Sequence, residues 1–334
     1  MIGGGTTRRS ANAWGGRVAS FHVASRPSRF GGSRGTVLRF LVLAATLALA
    51  GCGAALRVAY NQGDVAVRLA AHEYFDLHGE QSELLKAQLK VFHAWHRTEE
   101  LPKYADLLDG AAKRVQNGLA REDVRWAVAG LRERTRVLTE QAVDDAGPVL
   151  VMLDADNIVA LEKKLAANNA RFAKDYLSGD ERRNEKNRVK RMQENFEDWL
   201  GDLSDEQEAM IAAYVQASSR VTTVMFDDRK RRQREFVELL KANRGSPEIT
   251  PKLRVFLTDW EAQRAPEYAK LARDQEERLT DLLLAMDKTL TPKQRQHAVD
   301  RLEFYAKEFS ILASQGRGAP KGSQRVAVPA TGGS

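Results

Sequence analysis

Helix start and stop signals recur along the chain from about residue 64, and they constrain its fold more than any other feature. Two capping boxes, Ser204–Gln207 and Thr291–Gln294, mark helix N-termini, because each pairs a hydroxyl with a glutamine three residues later. The sequence lacks sustained alternation of apolar and polar residues, and it has no Asn-Gly turn that joins two such runs. It therefore predicts an all-α fold over residues 64–313, a multi-helix bundle or an array of antiparallel helices.

Proline and glycine place the expected helix boundaries. A helix over 80–98 is expected to end before a separate helix that begins at Pro102. A long helix from Arg121 is expected to stop before Gly147-Pro148, because proline inside a helix removes a hydrogen-bond donor. The stretch 314–334 is rich in Gly, Pro, Ser and Ala and predicts a disordered tail.

One pair of segments suggests an internal duplication. Leu89–Leu107 aligns with Leu253–Leu271 at seven identical positions of 19. Further matches follow after a seven-residue insertion. Seven residues make about two helical turns, so such an insertion would leave the same face of the helix buried. The alternative is chance similarity, because helical sequences use a limited set of residue types. The duplication is therefore a hypothesis.

The N-terminal region has the layout of a secretory signal. Arg39 precedes the 11-residue apolar run Phe40–Ala50, and small residues follow it. The alternative is a transmembrane anchor, but such a run spans only about 16 Å as a helix, roughly half the hydrocarbon core. We therefore expect residues 1–51 to be a signal region.

The end of this run, Leu49-Ala50-Gly51-Cys52, resembles the lipobox of bacterial lipoproteins. The resemblance implies that Cys52 receives a diacylglyceryl group and that cleavage falls between Gly51 and Cys52. It also implies sorting to the outer membrane, because Gly53 replaces the aspartate that typically retains lipoproteins at the inner membrane. Residues 52–63 would then be a lipidated tether on the periplasmic face of a Gram-negative outer membrane.

The charge of the chain comes from its leader. The net charge is +7, and residues 1–52 hold seven arginines with no lysine or acid. Without them, 45 basic residues balance 45 acidic ones, so no nucleic-acid partner is expected. Residues 1–36 lengthen the leader far beyond a normal n-region, and a misassigned translation start, with the true start later in the chain, for instance at Val37, would account for them.

Four histidines lie within 25 residues: His72, His78, His93 and His96. Imidazole and nearby carboxylates are possible zinc ligands, but the HExxH spacing of zinc hydrolases is missing. The sequence after the leader also lacks a nucleophile elbow, a Walker loop and a dinucleotide fingerprint. We therefore expect structural histidines, no metal, no cofactor and no catalytic residue.

Two basic clusters accompany acidic neighbours, one over residues 182–191 and one over residues 229–234. Such patterns are typical of a solvated helix face with ion pairs one turn apart. Contact with anionic lipid head groups is the functional alternative.

Five segments together resemble a proteobacterial family of helical lipoproteins of unknown function. The segments are Leu56–Asn61, Tyr74–Leu77, Phe92–Arg97, Glu100–Ala105 and Asn169–Phe172. The resemblance covers most of residues 50–313 and implies no activity. A weaker one links Leu203–Gln207 and Leu290–Gln294 to the L-T-x-x-Q motifs of Spy-type periplasmic chaperones, although any capped helix start looks similar.

These observations favour a lipid-anchored envelope protein that binds partner proteins as an adaptor and is not an enzyme. Its expected partners are the membrane, through the lipid on Cys52, and envelope proteins of unknown identity. An ATP-independent chaperone of the holdase type is the second hypothesis. A metal-dependent enzyme that uses the His72–His96 region is the third.

Overall fold

The computed structural model describes residues 53–177 and 179–316, and helices dominate both stretches. The α-helices are α1 (53–61), α2 (Gly63–Phe75), α3 (Gly79–Trp95), α4 (Leu101–Asn117), α5 (Arg121–Val151), α6 (Ala155–Phe172), α7 (Glu181–Leu200), α8 (Asp205–Ala217), α9 (Ser219–Ala242), α10 (Ile249–Thr258), α11 (Pro266–Thr289) and α12 (Pro292–Gly316). Two π-helical turns, His96–Glu100 and Ala173–Leu177, complete the structure. The described residues contain no β-strand, so the all-α prediction is confirmed.

Three apolar clusters hold the helices together. The largest joins α3, α5, α6, α9 and α10 through buried residues such as Leu85, Val149 and Leu161. A second joins α8 to α11, with α7 packed against it. The third joins α4 to α12 through Leu101 and Leu312. Burial of these apolar side chains, rather than helix propensity alone, supplies most of the stability of such helices.

The helix start expected at Pro102 is confirmed to within one residue, since α4 begins at Leu101, but no break separates α4 from α3. A π-helical turn, His96–Glu100, joins the two helices. Proline lacks an N–H and would clash with the carbonyl four residues earlier in a regular helix, and a π-turn is a common way to relieve this conflict. The turn also brings Glu100 into the interior, where its exposure falls to 0%.

The stop expected before Gly147-Pro148 is wrong, since α5 runs through both residues to Val151. Pro148 lacks the N–H donor of a regular helix, and close contacts with α10 hold this part of α5. Gly147 has no side chain, and Thr250 of α10 lies directly against it, while Arg254 of α10 forms an ion pair with Asp144 of α5. The close helix contact therefore requires the glycine and overrides the local stop signal.

The two capping boxes are present and also contact each other. The Gln207 side chain caps the Ser204 N–H at 3.0 Å, and the Gln294 side chain caps the Thr291 N–H at 3.0 Å. Their amides then exchange hydrogen bonds of 2.9 and 3.2 Å between α8 and α12. The residues that resemble the chaperone motif therefore have a structural role, which joins two helix N-termini.

The start of α3 and the start of α6 meet in the same manner. Gln81 caps the His78 N–H at 3.3 Å, and Asn157 caps the Asp154 N–H at 2.9 Å. The Gln81 amide donates to Asn157 Oδ1 at 2.7 Å. The fold thus uses one device twice: a polar residue at the third helical position both caps its own helix and bonds to a partner helix.

Candidate functional site

The predicted lipid-attachment and cleavage residues, Cys52 and Gly51, lie outside the described residues, as do residues 1–36 and 317–334. Gly53, the predicted sorting residue, is the first described residue and is buried. A Cβ atom added to Gly53 would lie only 2.5 Å from Glu308 Oε1. The chain immediately after Cys52 is therefore in tight contact with α12.

The segment assigned to a tether is helical over the described residues 53–61 and packs against the helical body. Arg57 forms an ion pair with Glu308 at 3.0 Å, and the Glu308 side chain is only 7% exposed. This difference from the sequence expectation has a physical reason, since a buried carboxylate needs a cation and α1 supplies it.

Tyr60 fixes the other end of α1. Its hydroxyl lies 2.9 Å from His96 Nδ1, and its carbonyl oxygen lies 3.0 Å from His93 Nε2. Because a carbonyl oxygen can only accept, His93 donates from Nε2. The Tyr60 ring also packs against the apolar cluster that contains Leu101 and Leu312. We refer to Gly53, Arg57, Tyr60, His93, His96 and Glu308 as the α1 docking cluster.

Burial shapes the electrostatics of the α1 docking cluster. It raises the pKa of Tyr60 to about 12, so the hydroxyl keeps its proton at neutral pH. Burial also lowers the pKa of His96, and the neighbouring His93 adds to this effect. The Nδ1 atom of a neutral His96 can accept a hydrogen bond from the Tyr60 hydroxyl, so the two pKa shifts are consistent with that bond.

The four histidines of the sequence cluster divide into two places. His93 and His96 both contact Tyr60, whereas His72 lies 2.9 Å from Ser82 Oγ and His78 precedes α3 as its N-cap residue. Within the part of the chain that the structure describes, no three His, Cys, Asp or Glu side chains are arranged to hold a metal.

Glu100 is a buried carboxylate, which the sequence pointed to only as the first residue of the segment Glu100–Ala105 in the family resemblance. Arg134 of α5 contacts its carboxylate at 3.2 Å and Lys103 contacts it at 2.8 Å. Removing both cations would leave an uncompensated charge in a site of low dielectric, which is costly. Glu100 therefore ties the π-turn to α5.

Both basic clusters contain ion pairs on their own helices. In the first, Arg188 pairs with Glu181 at 2.7 Å. In the second, Arg231 contacts Asp228 at 2.7 Å and Glu235 at 2.6 Å. The two clusters differ in exposure. The first is largely exposed, as expected for a solvated helix face, whereas in the second Asp228 is buried and Arg231 is only partly exposed. Contact with lipid head groups remains a prediction.

The chain belongs to a family of unknown function, DUF6279, whose model matches residues 73–269, more than half of the chain. No curated protein is similar to it, and no solved structure matches it. Membership of this family agrees with the resemblance to an uncharacterised family in the sequence. The family has no assigned activity.

None of the described helices combines the length and the apolar character needed to cross a membrane.

Proposed function

We propose that the protein is a lipid-anchored envelope lipoprotein that faces the periplasm and acts by binding other envelope proteins. The observation that carries the proposal is the α1 docking cluster. Gly53 lies against Glu308, and Arg57 and Tyr60 are held by α12, α3 and the π-turn. A lipid on Cys52 would therefore be one residue away from the helical body and would hold that body near the membrane surface.

Exposed apolar side chains that follow Cys52 along the chain support this placement. Val58 is 62% exposed, Val67 is 51% exposed and Leu69 is 62% exposed, and all three lie on α1 or α2. Apolar groups beside a lipid anchor add to membrane affinity when they reach the interface. Sorting to the outer membrane follows in the proposal from Gly53 and the lipobox resemblance.

The buried acids support a binding role, because they form ion pairs that stabilise the fold. Glu100, Asp287 and Glu308 are buried, and each forms an ion pair with an arginine. Such pairs fix helix contacts and leave these carboxylates committed to the fold.

The other large exposed apolar residues, which include Leu131, Val159 and Leu279, lie on separate helices. A holdase requires a broader apolar surface, so an adaptor for a few partners is favoured.

The test is crosslinking and affinity capture of the full chain from its own envelope, with Cys52→Ala as the matched variant. We expect wild-type protein to retain a small, reproducible set of envelope proteins and the variant to lose most of them. Purified full-length chain should not suppress the aggregation of several unrelated unfolded proteins at an equimolar ratio. Strong suppression of aggregation would instead favour the holdase hypothesis over the adaptor hypothesis.

A further inference from the structure

A pocket of about 570 Å³ opens between α3, α5, α9 and α10. Most of its wall is apolar and includes Phe92, Leu138, Ala146, Leu253, Leu257 and Trp260. Its volume lies within the range of small-molecule sites, which is roughly 300–1,000 Å³. Such sites combine an apolar wall with a few placed polar groups, and this pocket follows that pattern.

Arg232 is the one charged residue among the described residues that line the pocket. It donates to the Phe256 carbonyl at 2.9 Å and to Gln263 Oε1 at 3.3 Å. These bonds use two of the five N–H donors of a guanidinium, which leaves donors for a further acceptor. The guanidinium carbon also lies 4.4 Å from the Phe256 ring centroid, so this contact and the two hydrogen bonds together hold the guanidinium in place.

No carboxylate of the described residues forms an ion pair with Arg232, because the nearest acids are committed elsewhere. Asp228 and Glu235 both pair with the adjacent Arg231. Burial lowers the pKa of Arg232, and the positive charge of Arg231 adds to the effect. Asp228 and Glu235 act on Arg232 through their charge but do not contact it, so a carboxylate bound in the pocket would form a direct ion pair with Arg232, which none of the described residues does.

We propose that this pocket binds a single-chain anionic amphiphile, a long-chain fatty acid. Its carboxylate contacts Arg232, whose planar donors match the two carboxylate oxygens. Its acyl chain lies along the apolar side chains of α5 and α10, where burial of methylene groups is favourable. Trp260, which is 38% exposed, lies at the rim, where an aromatic ring with a polar N–H suits a boundary between water and hydrocarbon.

Two features of the pocket favour this ligand class over others. One arginine matches one negative charge, and the volume suits one acyl chain better than the two chains and large head group of a phospholipid. The proposal is independent of the lipid on Cys52, because it concerns a reversible ligand of the helical body.

The test uses the full chain with a C-terminal tag in a cell lysate that cannot activate fatty acids. A photoactivatable palmitic acid analogue is added, the lysate is irradiated, and the captured protein is digested for mapping of labelled peptides. We expect adducts on the α5 segment around Leu138–Ala146 and on the α10 segment around Leu253–Trp260. Excess palmitic acid should reduce labelling at least tenfold, whereas hexadecanol, which has the same chain without the charge, should leave it unchanged.

Three variants make the result specific. Arg232→Gln should lower labelling at least tenfold, and Arg234→Gln, an exposed arginine on the same helix, should label like wild type. Ala142→Phe fills the pocket without altering charge and should also abolish labelling. If Arg232→Gln loses helical content, the labelling of Ala142→Phe tests whether the ligand binds in this pocket. Equal labelling of Arg232→Gln and wild type, equal competition by hexadecanol, or adducts confined to other segments would overturn the proposal.

Discussion

Single polar residues that are buried or half-buried fix several helix contacts in this protein. Tyr60 illustrates the point, because its hydroxyl and its carbonyl hold His96 and His93, and its ring packs beside Leu101. The sequence placed Tyr60 in a tether, since residues 53–63 have no strong periodic pattern. Only its presence in the segment Leu56–Asn61 of the family resemblance pointed to a constrained role.

Replacing Tyr60 by phenylalanine should destabilise the protein by about 0.5–1.5 kcal/mol, the usual net value of a hydrogen bond. The ring contacts remain, so the change isolates the hydroxyl bond to His96. Equilibrium urea unfolding of the full chain measures the effect. Tyr268→Phe is the matched control, because the Tyr268 hydroxyl makes no hydrogen bond to the described residues, and its effect should stay within about 0.5 kcal/mol. Equal stability of wild type and Tyr60→Phe would contradict this account of α1.

His96 should make stability depend on pH. Its pKa is lowered from 6.5 in the folded protein, so the unfolded chain binds the proton more readily. Stability should therefore fall as the pH drops below 6.5, and this contribution should level off below the folded-state pKa. His96→Gln should remove this part of the decline, as measured by urea unfolding at a series of pH values. Parallel curves for the two proteins would refute the assignment.

At the scale of elements, local signals predicted the capped helix boundaries. The boundaries at Ser204, Thr291 and Gly201 agree with the structure, because capping chemistry is local, and α4 begins one residue before Pro102. The stop expected before Gly147-Pro148 was wrong, because α5 continues through it in close contact with α10. That contact depends on residues distant in sequence, which no local pattern contains.

The pair of Gln207 and Gln294 should behave as one unit. Changing either residue to alanine should cost about 1–3 kcal/mol, because the partner amide stays buried with a lost hydrogen bond. The double variant should cost less than the sum of the single variants, by about 0.5–3 kcal/mol. Gln296→Ala, an exposed glutamine on the same helix, serves as the control and should change stability by less than about 0.5 kcal/mol. Strictly additive effects would show that the amides act only as separate caps.

At the scale of the whole molecule, the sequence predicted the fold class but not the arrangement of the helices. The all-α body follows from capping, proline placement and the lack of strand patterns. The pocket could not be predicted, since it combines Phe92, α5 residues, Arg232 and Leu257 from four separate helices. The docking of α1 likewise joins Arg57 to a carboxylate 251 residues away. The internal duplication remains a sequence hypothesis.

Mass spectrometry of the N-terminal peptide of the protein isolated from its native membrane tests the central claim most directly. The account predicts that the mature chain begins at Cys52, with a diacylglyceryl thioether on its sulfur and an acyl group on its amine. It also predicts that residues 1–51 are absent from the isolated protein. A mature chain that begins at another residue, or that carries an unmodified Cys52, would contradict the lipid-anchored model.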